Sequence, residues 1–184
     1  MYEILIYGLG GQGAVLGGQV FIRAAIRDGK WALVNPEYGG VRRGGTVICG
    51  LRYNDKPIRR VYPVEEANCI LVLGQGLVQK IGIKVKEGVI AVLNAVEPPE
   101  KIVLNAKPSK IATLDATGLS IEVLGPSAIP ITNSQMLGAI SKATGFITIE
   151  SLCDAIRHQW SEELGDINVK LAKLGYERVR VKEF

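Results

Sequence analysis

Histidine occurs once, at His158, and cysteine three times, at Cys49, Cys69 and Cys153. A lone histidine between Arg157 and Gln159 leaves no material for a Ser/His/Asp triad or a histidine metal site. The cysteines are far apart, odd in number and without C-x-x-C spacing, which excludes a disulfide framework and a zinc or iron–sulfur ligand set. They read as small core hydrophobes. No apolar run approaches the roughly 18 to 20 residues that a membrane span needs. The first residues, "MYEILIYGLG", have no basic leader, long apolar stretch or small-residue cleavage site, so no secretory signal is expected, and a soluble protein of the cytoplasm is. Basic runs are no longer than Arg42-Arg43 or Arg59-Arg60, and 22 basic against 18 acidic residues leave a net charge of +4. Nothing in that balance favours nucleic-acid recognition; a small anionic ligand or an acidic partner subunit fits it equally well.

What is present is one domain's worth of apolar material. The chain has 184 residues, 47% of them hydrophobic and 22% charged, enough for one core spanning 1–184 and too little for two. Short Ile/Val/Leu-rich runs alternate with longer stretches of helical period. That alternation predicts an α/β fold, Rossmann-like and doubly wound, with a mostly parallel sheet and helices on both faces. Strands are expected at 3–7, 31–34, 46–53, 68–73, 89–93 and 110–115. Weaker strands are expected at 58–62, paired antiparallel, and at 102–105. Helices are expected at 14–27, stopped by Gly29, at 76–83, at 134–143 and at 149–160, the last with Thr148 as N-cap.

Two glycine-rich segments stand out. "GLGGQG" at residues 8–13 follows the first strand and opens the first helix, the context in which G-x-G-x-x-G is informative. Gly8, Gly10 and Gly13 permit a tight turn and let an anion approach the amides at a helix N-terminus, where the helix dipole favours negative charge. A dinucleotide site also needs a carboxylate about 20 residues on; Asn35 stands there, with Glu37 only beyond a proline. A turn that binds nothing is the bland alternative. Gly17 and Gly18 inside the helix each cost about 1 kcal/mol relative to alanine, so a neighbouring strand, a partner subunit or a ligand must come close there. No Walker lysine follows the loop, since Ala14 and Val15 occupy its place. The scattered Asp115, Asp154 and Asp166 read as caps or surface charges. The chain alone holds no set of catalytic side chains.

The second segment, "NPEYGGVRRGGTV", surrounds Arg42 and Arg43 with Pro36, Gly39, Gly40, Gly44 and Gly45. Glycine exposes amides and arginine offers a forked donor for phosphate or carboxylate. In a doubly wound sheet the loops after the first two strands share the carboxyl edge, so both segments are expected to face one anion. Surface arginines on a solvated hairpin are the alternative.

Together these segments, with "ANCILVLGQGL" and "NSQMLGAISKATGFITIESL", resemble the gamma subunit of the 2-oxoacid:ferredoxin oxidoreductases, the pyruvate, 2-oxoglutarate and 2-oxoisovalerate group. The resemblance covers nearly the whole chain. It implies one subunit of a heteromultimer that decarboxylates a 2-oxoacid, passes electrons through iron–sulfur clusters to ferredoxin and transfers the acyl group to coenzyme A. Thiamine diphosphate and the clusters are then expected in thiamine-binding and ferredoxin-like partner chains, and the gamma subunit itself in coenzyme A contact and assembly. Carried over by motif, Gly10, Gly11, Gln12 and Gly13 match the first loop, and Gly39, Arg43 and Gly44 the second, with Arg42 beside them. The family commonly has Glu two residues after the first glycine of the second loop. Val41 stands there instead, which removes an ion pair to Arg42 or Arg43 and leaves the 2-oxoacid open. The small subunit of indolepyruvate oxidoreductase shares the GGQG and R-G-G elements and is the nearest alternative; a free-standing dinucleotide-binding oxidoreductase is the alternative of another class.

Overall fold

The computed structural model describes residues 1–37, 45–59, 62–77 and 85–184. Strand β1 (Tyr2–Leu9) opens the chain and leads into helix α1 (Ala14–Arg27). Strands β2 (Trp31–Glu37), β3 (Thr46–Asn54), β4 (Ala67–Val72), β5 (Val85–Asn94) and β6 (Pro108–Leu114) follow. Helices α2 (Ala116–Leu124), α3 (Asn133–Thr144), α4 (Ile149–Gln159) and α5 (Glu162–Arg178) then lead to strand β7 (Arg180–Glu183). The seven strands form one sheet in the order β2-β3-β1-β4-β5-β6-β7. β1, β4, β5 and β6 run parallel, while β2, β3 and β7 pair antiparallel with their neighbours.

The parallel strands are apolar on both faces, as burial on both sides requires. Along β1, Ile4 and Ile6 enter the core under the helices, and Leu5 and Tyr7 enter a second cluster on the other face. Each such side chain, once fully buried, contributes about 1.5–3 kcal/mol. The helical face carries α1 against β1, β2 and β3, and α3 against β5 and β6. On the other face Val64, Leu77, Ile102 and Leu104 cover the strands; residues 78–84, most of the expected helix at 76–83, lie outside the described ones.

α1 starts and stops where expected. Gly29 takes φ 72° and donates its N–H to Ile26 O at 3.0 Å. Thr148 caps α4, its Oγ1 accepting from Ser151 N at 3.2 Å. Asp28 ties that cap to the end of α1 by accepting from Thr148 N, Thr148 Oγ1 and Ser151 Oγ. Burial alone would raise the Asp28 carboxyl, but these donors hold it below its ordinary value.

Helix α3 is buried nearly all round, wedged between the sheet and α5. The crossing is glycine-to-backbone: a Cβ on Gly138 would fall 1.9 Å from Ala172 O, and one on Gly175 1.9 Å from Gln135 O. All three cysteines are buried and free, and burial pushes the Cys49 thiol up to about 12.

Of two further expected strands, the one at 58–62 shows no strand at its described residues 58, 59 and 62, with 60 and 61 outside the described ones, and the one at 102–105 does not form. Around Tyr62 the carbonyls that a strand would offer are taken by a side chain, since the buried Arg52 guanidinium donates to Tyr62 O and Pro63 O and pairs with Glu3 at 3.2 Å. Burial raises the Glu3 carboxyl, yet Lys86 and Arg52 outweigh it and hold the group below its ordinary value. Residues 102–105 lay Ile102 and Leu104 on the sheet face without joining the ladder, and β7 pairs with β6 at that edge instead.

Candidate functional site at the carboxyl edge of β1 and β4

β1 hands the chain to α1 on the helical face, whereas β4 hands it to Leu77, buried on the opposite face. The strand order reverses between them, with β3 on one side of β1 and β4 on the other. Diverging loops at such a point leave a crevice outside the carboxyl ends of the strands, the usual ligand position in open α/β sheets.

Residues 8–13 form one wall. Gln12 folds back on the strand end: its N–H donates to Leu9 O at 3.0 Å, and its Oε1 accepts from Leu9 N at 2.8 Å. Gly11 and Gly13 have φ of 102° and 79°, left-handed values that a side chain resists. Gly13 is the N-cap of α1, and no side chain caps the helix, so the first-turn amides of Ala14, Val15 and Leu16 are left for another acceptor.

The second glycine segment meets this wall at its far end. Gly10 N donates to Gly45 O at 2.9 Å, and the β1–β3 ladder closes beside it with Leu9 opposite Thr46. β2 brings Glu37 opposite Ile48 at the same edge. The Gly45 end therefore stands beside Gly10, while the Glu37 end lies across β3, level with Tyr7. Gly39, Arg42, Arg43 and Gly44 themselves lie outside the described residues.

A polar network fixes the rim behind the loops. Leu73 donates to Tyr7 O at 2.7 Å, and its own carbonyl accepts from Asn94 Nδ2 at 2.7 Å and Thr132 Oγ1 at 3.0 Å. Asn94 Oδ1 in turn accepts from Ala116 N at 3.0 Å and Thr117 N at 3.3 Å. One asparagine thus joins the ends of β4 and β5 to the start of α2. Asp115 caps α2, its Oδ1 accepting from Gly118 N at 2.8 Å, the capping role expected of it. Asn133, first residue of α3, lies against Gly13 and Gly17 of α1.

The close approach expected at Gly17 and Gly18 occurs at Gly18 alone, since a Cβ on Gly17 would meet Asn133 and Leu137 only at 3.6 Å and 4.0 Å. A Cβ on Gly18 would meet Cys49 Sγ at 2.9 Å, with Leu51 and Val34 each at 3.3 Å. A neighbouring pair of strands, rather than a ligand, requires that glycine. Asn94, Thr132 and Asn133 were not among the expected site residues. A polar residue closing the apolar run "VIAVLN" was the available signal for Asn94; for Asn133, only the fold brings it to Gly13.

Among the described residues no group of three His, Cys, Asp or Glu side chains could hold a metal ion, and no helix is long and apolar enough to cross a membrane.

Comparison with known proteins agrees with this architecture. Residues 3–178 match the family model described as pyruvate ferredoxin/flavodoxin oxidoreductase. The chain is 38% identical to the pyruvate/ketoisovalerate oxidoreductases common subunit gamma of Thermococcus litoralis, over all of both chains. Among solved structures it resembles the pyruvate oxidoreductase subunit PORC of Thermotoga maritima, with a TM-score of 0.80 at 29% identity, covering 99% of this chain and 98% of that one. It also shares the fold of part of a 2-oxoglutarate:ferredoxin oxidoreductase from Magnetococcus marinus solved with 2-oxoglutarate, coenzyme A and succinyl-CoA. That likeness has a TM-score of 0.75 at 16% identity, and covers 96% of this chain and 30% of that one.

Proposed function

The chain belongs to the pyruvate ferredoxin/flavodoxin oxidoreductase family, and from that membership we propose that it works as the gamma subunit of a 2-oxoacid:ferredoxin oxidoreductase. In this role it contributes a phosphate-facing crevice for coenzyme A and a surface for assembly. The observation that supports the crevice is the hydrogen bond from Gly10 N to Gly45 O, which joins the first glycine loop to the end of the second at the reversal of strand order. An uncapped helix N-terminus beside glycines suits a phosphate, and Arg42 and Arg43, with Gly39 and Gly44, are proposed to add a charged donor set from the second loop.

The chemistry belongs to partner chains. The described residues do not fit an iron–sulfur cluster: Cys49, Cys69 and Cys153 are each buried in the apolar core, and burial raises each thiol away from the thiolate a cluster needs. The thiamine diphosphate and the clusters are therefore assigned to thiamine-binding and ferredoxin-like subunits, with ferredoxin reached through the complex. A reducing cytoplasm suits three free cysteines. The test is reconstitution. The purified chain supplied with a 2-oxoacid, thiamine diphosphate, coenzyme A and an electron acceptor is expected to show no oxidation, and activity is expected on adding the partner subunits. Turnover by the chain alone would refute the assignment.

A further inference from the structure

Helices α1 and α4 pack side by side and leave a groove between their exposed faces. Asp28 pins the end of α1 to the Thr148 cap of α4. Further along, Arg27 pairs with Asp154 at 2.7 Å, and Arg23 Nη1 donates to Gln159 Oε1 at 2.6 Å. These contacts hold the two walls at a set spacing. The groove has a volume of about 710 Å³ and is lined by Arg23, Ile26, Arg27, Asp154, Arg157 and His158. Arg23 stands about 15 Å along α1 from Gly13, so the groove is separate from the crevice at the glycine turn.

Its charges are unbalanced. Three arginines line it against one aspartate, a net of +2 that concentrates half of the chain's +4 on one face. Asp154 is shared by Arg27 at 2.7 Å and Arg157 at 3.7 Å, and Asp166 lies 3.9 Å from Arg157. Arg23 has the neutral Gln159 as its partner, and among the described residues it meets no carboxylate. Cations in a last helical turn complement the negative end of the helix dipole, which accounts for Arg27, Arg157 and His158. It does not account for Arg23, a turn further back, or for Ile26, which is 59% exposed among them. Arginine around an apolar side chain is the composition of a protein interface. Arg23, Arg27, Arg157 and His158 are all exposed, whereas a small-molecule site buries most of its ligand. The groove suits a partner's surface better than a small anion.

We infer that the α1–α4 groove is a docking face for an acidic segment of a partner subunit, which sets carboxylates on Arg23 and its neighbours and an apolar side chain on Ile26. For the identity of the partner this rests on the gamma-subunit reading, to which it adds a face and a recognition chemistry.

The test titrates the full chain with a fluorescein-labelled peptide of glutamates around one leucine, read by anisotropy, and circular dichroism verifies that each variant is folded. The wild type is expected to bind saturably and more weakly as salt rises. Arg23→Glu should bind about fivefold more weakly or worse as attraction turns to repulsion, and Ile26→Ser should also lose affinity. Lys101→Glu makes the same charge change on the exposed turn at Pro99–Lys101 and should bind as the wild type does. No saturable binding, or equal weakening by Arg23→Glu and Lys101→Glu, overturns the docking face. Binding of inorganic tripolyphosphate without binding of the peptide overturns it in favour of a small-anion site, and self-association abolished by Arg23→Glu overturns it in favour of a second copy of this chain. In reconstitution with the partner subunits, read by sedimentation, the wild type should join the complex and Arg23→Glu should join about fivefold more weakly or worse. Equal joining overturns the inference. A wild type that fails to join removes the gamma-subunit reading and the partner named here, while the peptide titration still decides whether the groove takes an acidic segment.

Discussion

Alanine placed at Gly17 and at Gly18, one at a time, should move stability in opposite directions, although the two are adjacent in α1. In a helix interior alanine is favoured over glycine by about 1 kcal/mol, and neither position has the positive φ that would oppose it. At Gly17 the added Cβ meets Asn133 Cβ at 3.6 Å and Leu137 Cδ1 at 4.0 Å, ordinary contact distances, so most of the helical gain is kept and Gly17→Ala is expected to stabilise by about 0.5–1 kcal/mol. At Gly18 the Cβ falls 2.9 Å from Cys49 Sγ and 3.3 Å from two further side chains. Relief requires α1 to lift from β2 and β3, and overpacking of this kind costs about 1–3 kcal/mol. Net of the helical gain, Gly18→Ala is expected to lose up to about 2 kcal/mol. Urea denaturation at fixed m-value measures both, and for a chain of this size each kcal/mol corresponds to roughly 2–4 °C in Tm. Adding Cys49→Ala to Gly18→Ala should recover part of the loss, a coupling that a double-mutant cycle isolates. Gly18→Ala equal to or more stable than Gly17→Ala would refute the packing argument.

Gly175→Ala, whose Cβ would stand 1.9 Å from Gln135 O, should destabilise by about 3 kcal/mol or more, because backbone rather than a movable side chain is struck; thermal melting reads this, and a loss under about 1 kcal/mol would contradict the close α3–α5 crossing. Acid should weaken the fold through Glu3 and Asp28. Both carboxyls are held below their ordinary values of 4.5 and 3.8, so their contribution is fully present above those values and is lost as pH falls through the lower folded-state values. In Glu3→Gln the fall in Tm below pH 4.5 should be shallower than in the wild type, and an unchanged slope would exclude Glu3 as a source.

The sequence exposes the part of this structure that depends on neighbours in the chain. Helix α1 can be bounded from its apolar spacing and Gly29, the turn "GLGGQG" from its position between strand and helix, and the cap Thr148 from its place before the stripe of α4. What escapes linear reading is set by packing. α2 is apolar on several sides, with Ile121 and Leu124 exposed, so no clean helical stripe marks it. α5 contains Gly165 and Gly175, which argue against a helix until α3 is seen pressing on Gly175. β7 is four mostly charged residues, without the apolar run that marks a strand, and its place is set by the edge of β6. For the site, the two glycine loops are legible because each glycine marks a local backbone demand. Asn94 and Asn133 are not, since their roles arise only when β4, β5, α1 and α3 meet at one rim. At the end of the strand expected at 58–62, the Tyr62 carbonyl is taken by a side chain, Arg52, from β3.

The most direct test of the central claim is the steady-state kinetics of the assembled oxidoreductase containing Arg43→Ala, with coenzyme A as the varied substrate. A guanidinium that binds coenzyme A without entering the chemistry predicts a KM for coenzyme A raised about tenfold or more, with kcat nearly unchanged and the KM for the 2-oxoacid unmoved. A KM for coenzyme A equal to that of the wild-type complex would contradict the account and leave this chain a purely architectural subunit.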